Sequence, residues 1–275
     1  MIDLHTHSTA SDGQYTPAEL LLLAKKKNIE VLALTDHDTV CGLEEAGKSA
    51  KEFGIHFVSG IEINSQDIVG IHMLGYGIDS SNQDIISMCG RLAEDRLKRG
   101  EKICMFLKEK GIDVDYEEIK GYTVDGVVGR PHFGRYLFEH GYVSSVQEAF
   151  KRYLNTDEFM HKVKRNKPSS EESINIIHNA GGKAVIAHPY QYKIDTAEKE
   201  KMIGRLTLAG LDGIECFYSK HSEDETKIFC SWAKKYNLKV SVGSDFHGEK
   251  VKPDIALGME FDYDVYGEYL IVNSL

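Results

Sequence analysis

Short apolar runs alternate with amphipathic stretches along this chain, and most of the runs end in histidine or a carboxylate. They cover residues 2–4, 31–34, 57–63, 71–78, 184–187, 213–217 and 239–242. Runs of this length, rich in Val, Ile and Leu, have the pattern of strands buried on both faces, as in parallel sheets. Between the first two, Thr16-Pro17-Ala18-Glu19 joins a capping box to a proline at the first helical position and predicts a helix to about Lys27. A second helix is predicted over 43–53, with Asp38 or Thr39 as a candidate N-cap. This rhythm implies an α/β architecture built on a largely parallel sheet or barrel.

The middle of the chain breaks the rhythm. Residues 83–110 are helical and charged in pattern, and no clear buried strand follows until about residue 167. That stretch holds Gly-Tyr-Thr-Val-Asp-Gly at 121–126, Gly-Arg-Pro-His at 129–132 and an aromatic-rich helical segment over 133–153. The expected organisation is therefore a first barrel part at 1–105, a small helical insertion at 106–168 and a second barrel part at 169–275. Ser169-Ser-Glu-Glu172 offers a capping box where the alternation resumes.

Composition excludes several classes. With 41% hydrophobic residues, 28% charged residues and 5 prolines in 275, the chain is rich enough in apolar residues to build a core. No apolar run approaches the roughly 20 residues of a membrane span, and the opening Met-Ile-Asp-Leu-His-Thr-His lacks the pattern of a secretory leader. A net charge of −10 argues against a sequence-independent grip on long nucleic acid. Cys41, Cys89, Cys104, Cys216 and Cys230 are odd in number and never form Cys-x-x-Cys. That spacing argues against a disulfide framework or zinc ribbon and fits a reducing cytoplasm. With no clear dimer patch, a monomer is the expectation.

Histidine carries the chemistry. His5 and His7 lie two apart after the first run, so a strand places both on one face. Asp12 follows in Ser-Asp-Gly, and His37 in Thr-Asp-His-Asp ends the second run. Glu62 ends the third run, where a carboxylate is costly to bury unless paired or metal-bound. His72 sits in the fourth run, His188 precedes Pro189, and Asp245 and His247 form another period-two pair. Six histidines and three carboxylates at strand C-termini would gather on one face of a barrel. Imidazole and carboxylate without thiolate suit Zn, Mn or Fe, and nine ligands imply two or three divalent ions.

His5-Thr-His7, Ser-Asp12-Gly, Thr-Asp-His37-Asp, Gly-Ile-Glu62, Ala-His188-Pro and Gly-Ser-Asp245-Phe-His247-Gly, in this order, resemble the signatures of the PHP (polymerase and histidinol phosphatase) family. The resemblance implies a distorted (β/α)7 barrel holding up to three ions. One ion would take His5, His7, Glu62 and Asp245, a second Glu62, His72 and His188, and a third Asp12, His37 and His247. Asp12 stands where histidinol phosphatases of the family commonly have histidine, which argues against histidinol phosphate as substrate.

The insertion, with Gly129-Arg130-Pro131-His132 and Glu148-Ala-Phe150, resembles stand-alone members that act on nucleoside 3′,5′-bisphosphates, some of which also trim short RNA from the 5′ end. It implies that the insertion caps the barrel and that Arg130 and His132 bind a substrate phosphate, a task suited to the planar guanidinium. Arg96 and Arg99 are further candidates, with Tyr218 as a base-stacking ring and His221 as a proton donor. The expected activity is hydrolysis of the 3′-phosphate of a nucleoside 3′,5′-bisphosphate. The alternatives are a 5′-to-3′ exonuclease on short RNA or DNA oligonucleotides, a histidinol phosphatase-like enzyme and a non-catalytic PHP module.

Overall fold

The computed structural model describes residues 1–122 and 128–275, so most of the 121–126 motif lies outside the described residues. Among the described residues seven strands, β1 (Ile2–Asp3), β2 (Val31–Leu34), β3 (His56–Gln66), β4 (Gly70–Tyr76), β5 (Lys183–Ile186), β6 (Gly213–Tyr218) and β7 (Lys239–Gly243), pair in sequence order. Extended chain beyond β1 lies beside β7 and closes the barrel: Leu4 N–H donates to Val242 O (3.0 Å), His7 N–H to Phe246 O (2.9 Å) and Asp245 N–H to His5 O (2.8 Å).

Parallel pairing holds except at β4, which is antiparallel to both β3 and β5. Only residues 67–69 separate β3 from β4, too few for the helical crossover that a parallel neighbour requires. Asp67 N–H donates to Val69 O at 2.9 Å and the chain turns straight back. The strand-C-terminus rule therefore needs one correction. His72 lies near the start of β4, and the reversal of that strand puts its first residues at the face where the other strands end.

The helices in chain order are α1 (Pro17–Lys26), α2 (Leu43–Phe53), α3 (Gln83–Glu109), α4 (Tyr116–Lys120), α5 (Arg130–Glu139), α6 (Val146–Ala149), α7 (Asp157–Lys162), α8 (Ser170–Asn179), α9 (Thr196–Leu208), α10 (Glu223–Lys235) and α11 (Tyr263–Tyr266). Their starts follow local chemistry. Thr16 and Glu19 form the reciprocal box that opens α1, Ser169 accepts from Glu172 N–H ahead of α8, and Ser222 with Glu225 caps α10. Helix α2 begins at Leu43, where the sequence puts it, but the expected N-cap fails because Asp38 and Thr39 lie too far before that start. Gly42 occupies the cap, Asp38 accepts from Asn64 N–H at 2.8 Å, and Thr39 accepts from Cys41 N–H.

The chain forms two compact units, Met1–Cys89 with Lys167–Leu275 and, separately, Gly90–Asn166. The first holds the barrel, with a core of Ile2, Leu4, Ala33, Val58, Leu74, Val185, Ala187 and Val242. Tyr76 is buried among them, and its hydroxyl reaches Ser241 Oγ at 2.9 Å, which satisfies a polar group inside the apolar core. The second unit has its own core, including Phe106, Leu107, Ile119, Phe133, Leu137, Leu154 and Phe159. Among the described residues no helix is long and apolar enough to cross a membrane.

Removing the α1 cap with Thr16→Ala takes away the acceptor for Glu19 N–H at an exposed helix start. The expected cost is about 1 kcal/mol of unfolding free energy in a urea titration, with an unchanged dependence on denaturant.

Candidate metal centre

Strand ends deliver the side chains. His5 and His7 point inward from the extension of β1, while Thr6 between them turns outward and donates to Ala33 O at 2.6 Å. His37 follows β2, Glu62 lies within β3, His188 follows β5, and Asp245 and His247 follow β7. Three non-glycine residues here adopt left-handed backbone: Asp38 (φ 57°), His188 (φ 27°) and Asp245 (φ 62°). Such conformations re-aim a side chain at a strand end and persist only where the surroundings over-determine them.

Glu62 is fully buried at the centre, with five imidazoles around its two oxygens. Oε1 lies 2.7 Å from His72 Nδ1 and 2.9 Å from His188 Nε2. Oε2 lies 3.2 Å from His5 Nε2, 3.3 Å from His7 Nε2 and 3.0 Å from His37 Nδ1. In isolation the sequence favours His72 as a backbone-satisfied core residue; its ring instead meets Glu62.

Among the described residues, three sets of side chains can hold a cation: His5, His7, Glu62 and Asp245; His7, Asp12, His37 and His247; and His37, Glu62 and His72. Asp12 Oδ1 lies 3.3 Å from His247 Nε2 and 3.8 Å from His7 Nδ1, and Asp12 Oδ2 lies 3.9 Å from His37 Nε2. His188 joins through its contact with Glu62. All nine residues named from the sequence thus lie in one neighbourhood, and His7 and His37 each face two of the sets.

The donor set fits divalent cations on two grounds. Buried ring nitrogens at His5 Nε2, His7 Nδ1, His7 Nε2 and His37 Nδ1, together with Glu62 Oε2, have no hydrogen-bond partner. They approach one another without donor geometry, as lone pairs aimed at a common point do. In the first set, His5 Nε2–Glu62 Oε2 (3.2 Å), His7 Nε2–Glu62 Oε2 (3.3 Å), His7 Nε2–Asp245 Oδ1 (3.4 Å) and His5 Nε2–Asp245 Oδ1 (3.7 Å) separate the imidazole and carboxylate donors, and all four residues offer atoms within 4.8 Å of one another. Ligands about 2.0–2.2 Å from a tetrahedral ion stand about 3.3–3.6 Å from each other.

Electrostatics agree. Burial works against ionising Glu62, yet His37, His72 and His5 hold its carboxyl well below the usual range. Asp245, almost as deeply buried, is likewise held low by His5, His7 and Lys252. Both are therefore anions at neutral pH and call for nearby positive charge. Burial opposes protonation of His37, but Glu62 and Asp12 raise its pKa to about 9. Burial, with His247 and His37 beside it, lowers His7 to about 4, leaving a neutral imidazole with lone pairs to offer.

A second layer fixes the first, and its chief member, Glu215, escaped the sequence reading. It is fully buried in β6. Its Oε1 contacts His5 Nδ1 at 2.9 Å and its Oε2 accepts from His188 N–H at 2.6 Å. One carboxylate thus sets the tautomer of His5, leaving Nε2 free to face inward, and anchors the backbone of His188. A Cβ on Gly243 would lie 2.3 Å from His5 Cβ and 2.9 Å from Glu215 Oε1, so only glycine fits there. Asp3 accepts from Ser244 N–H and Oγ–H, Gly258 N–H and His5 N–H, and Asp36 accepts from Ser8 and Ser11. The available signal for Glu215 was an acid embedded in the apolar run Gly-Ile-Glu-Cys-Phe.

The remaining sequence candidates take other parts or belong to the second unit. Tyr218 is buried, so its ring is no stacking surface; its hydroxyl donates to Asp245 Oδ2 at 3.0 Å. His221 packs against Tyr218 and Phe229 with Nδ1 3.0 Å from Cys216 O, and burial lowers its pKa, which disfavours the protonated form. Arg96, Arg99, Arg130 and His132 belong to the second unit. Arg130 opens α5, its Nη1 3.4 Å from Leu154 O and Asn155 Oδ1. His132 Nδ1 accepts from Gly129 N–H at 2.9 Å, so this histidine closes the start of α5 as a cap. Arg99 donates to Val163 O. Burial, with Arg130 and Arg165 close by, lowers its pKa to about 10.

The sequence profile of the PHP domain matches residues 3–200. The chain is 39% identical to a 5′-3′ exoribonuclease of Haemophilus influenzae over 246 residues, 89% of each protein. It is 35% identical to a 3′,5′-nucleoside bisphosphate phosphatase of Chromobacterium violaceum over 248 residues, 90% of this chain and 87% of that one. Among solved structures, an amidohydrolase from Chromobacterium violaceum with bound sulfate superposes with a TM-score of 0.81 at 33% identity, covering 95% of this chain and 92% of its own. A Bifidobacterium adolescentis protein provisionally described as a metal-dependent phosphoesterase gives 0.78 at 29% identity, covering 98% and 94%.

Glu215→Ala leaves His5 Nδ1 and His188 N–H buried without an acceptor. It is expected to weaken divalent-metal affinity by about 10–100-fold, read by competition with a chromogenic chelator, while far-ultraviolet circular dichroism stays unchanged. Glu215→Gln, which keeps an acceptor, should fall between that variant and the parent.

Proposed function

Because this chain belongs to the PHP-domain family, we propose that it is a metal-dependent phosphoesterase that removes the 3′-phosphate of a nucleoside 3′,5′-bisphosphate, giving a 5′-mononucleotide and phosphate. The observation that carries the reading is the set of four inward-facing atoms of His5, His7, Glu62 and Asp245, spaced as ligands of one ion are. Glu62 would be shared with a second ion, held also by His72, His188 and His37, and Asp12, His37 and His247 would hold a third. The ligand chemistry suits Mn, Fe or Zn. Bound divalent ions supply an acidified water as nucleophile and neutralise charge on the phosphoryl oxygens.

The chain's own residues do the rest. Glu215 holds His5 and His188 in the orientation that the ions need. Arg130, Arg96 and Arg99 are the arginines proposed for the second phosphate, a task that suits a guanidinium because it can grip two oxygens at once. His132 supports that site by fixing the start of α5. A small phosphorylated nucleotide agrees with the net charge of −10, and the free cysteines agree with a reducing cytoplasm. The Haemophilus influenzae relative favours a second reading, 5′-to-3′ removal of mononucleotides from short RNA, using the same centre on a diester.

Phosphate release from adenosine 3′,5′-bisphosphate is expected to exceed that from 5′-AMP and from histidinol phosphate. Faster turnover of histidinol phosphate overturns the substrate assignment, and release of mononucleotides from the 5′ end, seen as stepwise shortening of a 3′-labelled oligoribonucleotide, supports the second reading. Asp245→Ala is expected to abolish turnover in a chain that still melts cooperatively. Dialysis against a chelator should lower the melting temperature and Mn should restore it, since ions that bind only the folded chain stabilise it.

A further inference from the structure

Asp245 uses its two oxygens differently. Oδ1 faces His5 Nε2 and His7 Nε2, the direction of the cation site. Oδ2 points away and has two donors, the Tyr218 hydroxyl at 3.0 Å and Lys252 Nζ at 2.8 Å. The two donors are not equivalent. Tyr218 is buried and held in turn by Gln191 Nε2 at 3.1 Å, whereas the Lys252 side chain is about one-third exposed.

The backbone that carries Lys252 is pinned. Lys252 N–H donates to Gly248 O at 2.9 Å, Lys250 N–H donates to Gln14 Oε1 at 2.8 Å, and Gln14 N–H donates to His247 O at 2.7 Å. Gly248, at φ 99°, lies so close to Gln14 that a Cβ would fall 2.3 Å from the Gln14 Cβ. A fixed Cα at the edge of the centre thus bears a flexible four-carbon arm with a charged tip. Once Asp245 shares its charge with a divalent ion, its attraction for an ammonium group weakens. Tyr218 still satisfies Oδ2 if the ammonium leaves, so departure strands no buried oxygen.

We propose that Lys252 is a substrate contact, its ammonium exchanging Asp245 Oδ2 for an oxygen of the phosphoryl group bound at the centre. This rests on the phosphoesterase reading above. No bond to carbon or phosphorus is made by the lysine; it adds one positive charge and up to three donors where the ester's oxygens lie. Nothing in the motifs that define the family points to it, since it lies five residues beyond His247.

The test uses the metal-loaded full chain and inorganic phosphate as the probe, with calorimetry for binding and elemental analysis for metal content. Lys252→Met is expected to keep its metal and weaken phosphate binding about tenfold or more, with Lys252→Arg recovering most of the loss. Two outcomes overturn the proposal: unchanged phosphate affinity in a fully loaded Lys252→Met, or loss of metal from that variant, which makes the lysine a support for Asp245. Failure of the parent enzyme to bind phosphate at all sinks the phosphoesterase reading itself, and the proposal with it.

Discussion

The burial of Glu62 governs this structure. A carboxylate removed from water inside a protein costs several kcal/mol unless compensating charge surrounds it. Here the compensation comes from five imidazoles donated by the ends of β1, β2 and β5 and by β4, so the cost of one side chain ties much of the barrel's rim together. Imidazoles alone compensate poorly, because each must take up a proton to be cationic and protonated rings repel one another. The contrast between His37, raised to about 9, and His7, lowered to about 4, shows that conflict among rings whose centroids lie 4.6 Å apart. A divalent ion would resolve it, since one ion supplies two charges without a proton and accepts lone pairs from several rings at once.

Topology serves the same end. A strictly alternating barrel would send the strand after Glu62 off through a helix, and its ligand would come from that strand's far end. The tight return at residues 67–69 instead brings β4 back at once, in register with Asn64 opposite His72. Two neighbouring antiparallel strands therefore present Glu62 and His72 to each other across 2.7 Å. The departure from regular barrel geometry is thus the means by which a short stretch of sequence supplies two adjoining ligands.

Much of this was legible in the sequence, for physical reasons that also mark its limits. Strands buried on both faces must be almost wholly apolar, so their runs stand out, and a histidine or acid at the end of such a run is costly enough to attract notice. Direction leaves no such trace: the run at 71–78 looks the same whichever way it pairs, and only the shortness of the preceding turn gives β4 away. Glu215 was overlooked because it lies inside a strand, where its partners come from β1 and β5, distant in sequence. Tyr218 and His221 followed a strand end, as the ligands do, but exposure cannot be seen in a sequence, and both turned out to be packed against their neighbours. Lys252 lay hidden because a lysine in a polar loop is ordinary until its neighbour is known.

The backbone at the strand ends states the same priority from another side. Left-handed conformations are where glycine is cheapest, and the chain uses glycine at such angles in ordinary turns, as at Gly54 and Gly181. At positions 188 and 245 it places histidine and aspartate instead, accepting a strain of about 1–3 kcal/mol at each. Glycine would relieve the strain and delete the side chain. The Glu215 carboxylate fixes the His188 backbone through its N–H, and Asp245 N–H is bound to His5 O, so each strained residue is held by a group belonging to the same centre. The strain, the buried charge and the unpartnered lone pairs all converge on one small volume, which is why the rim of this barrel is better understood as a single cation-binding assembly than as a set of separate strand ends.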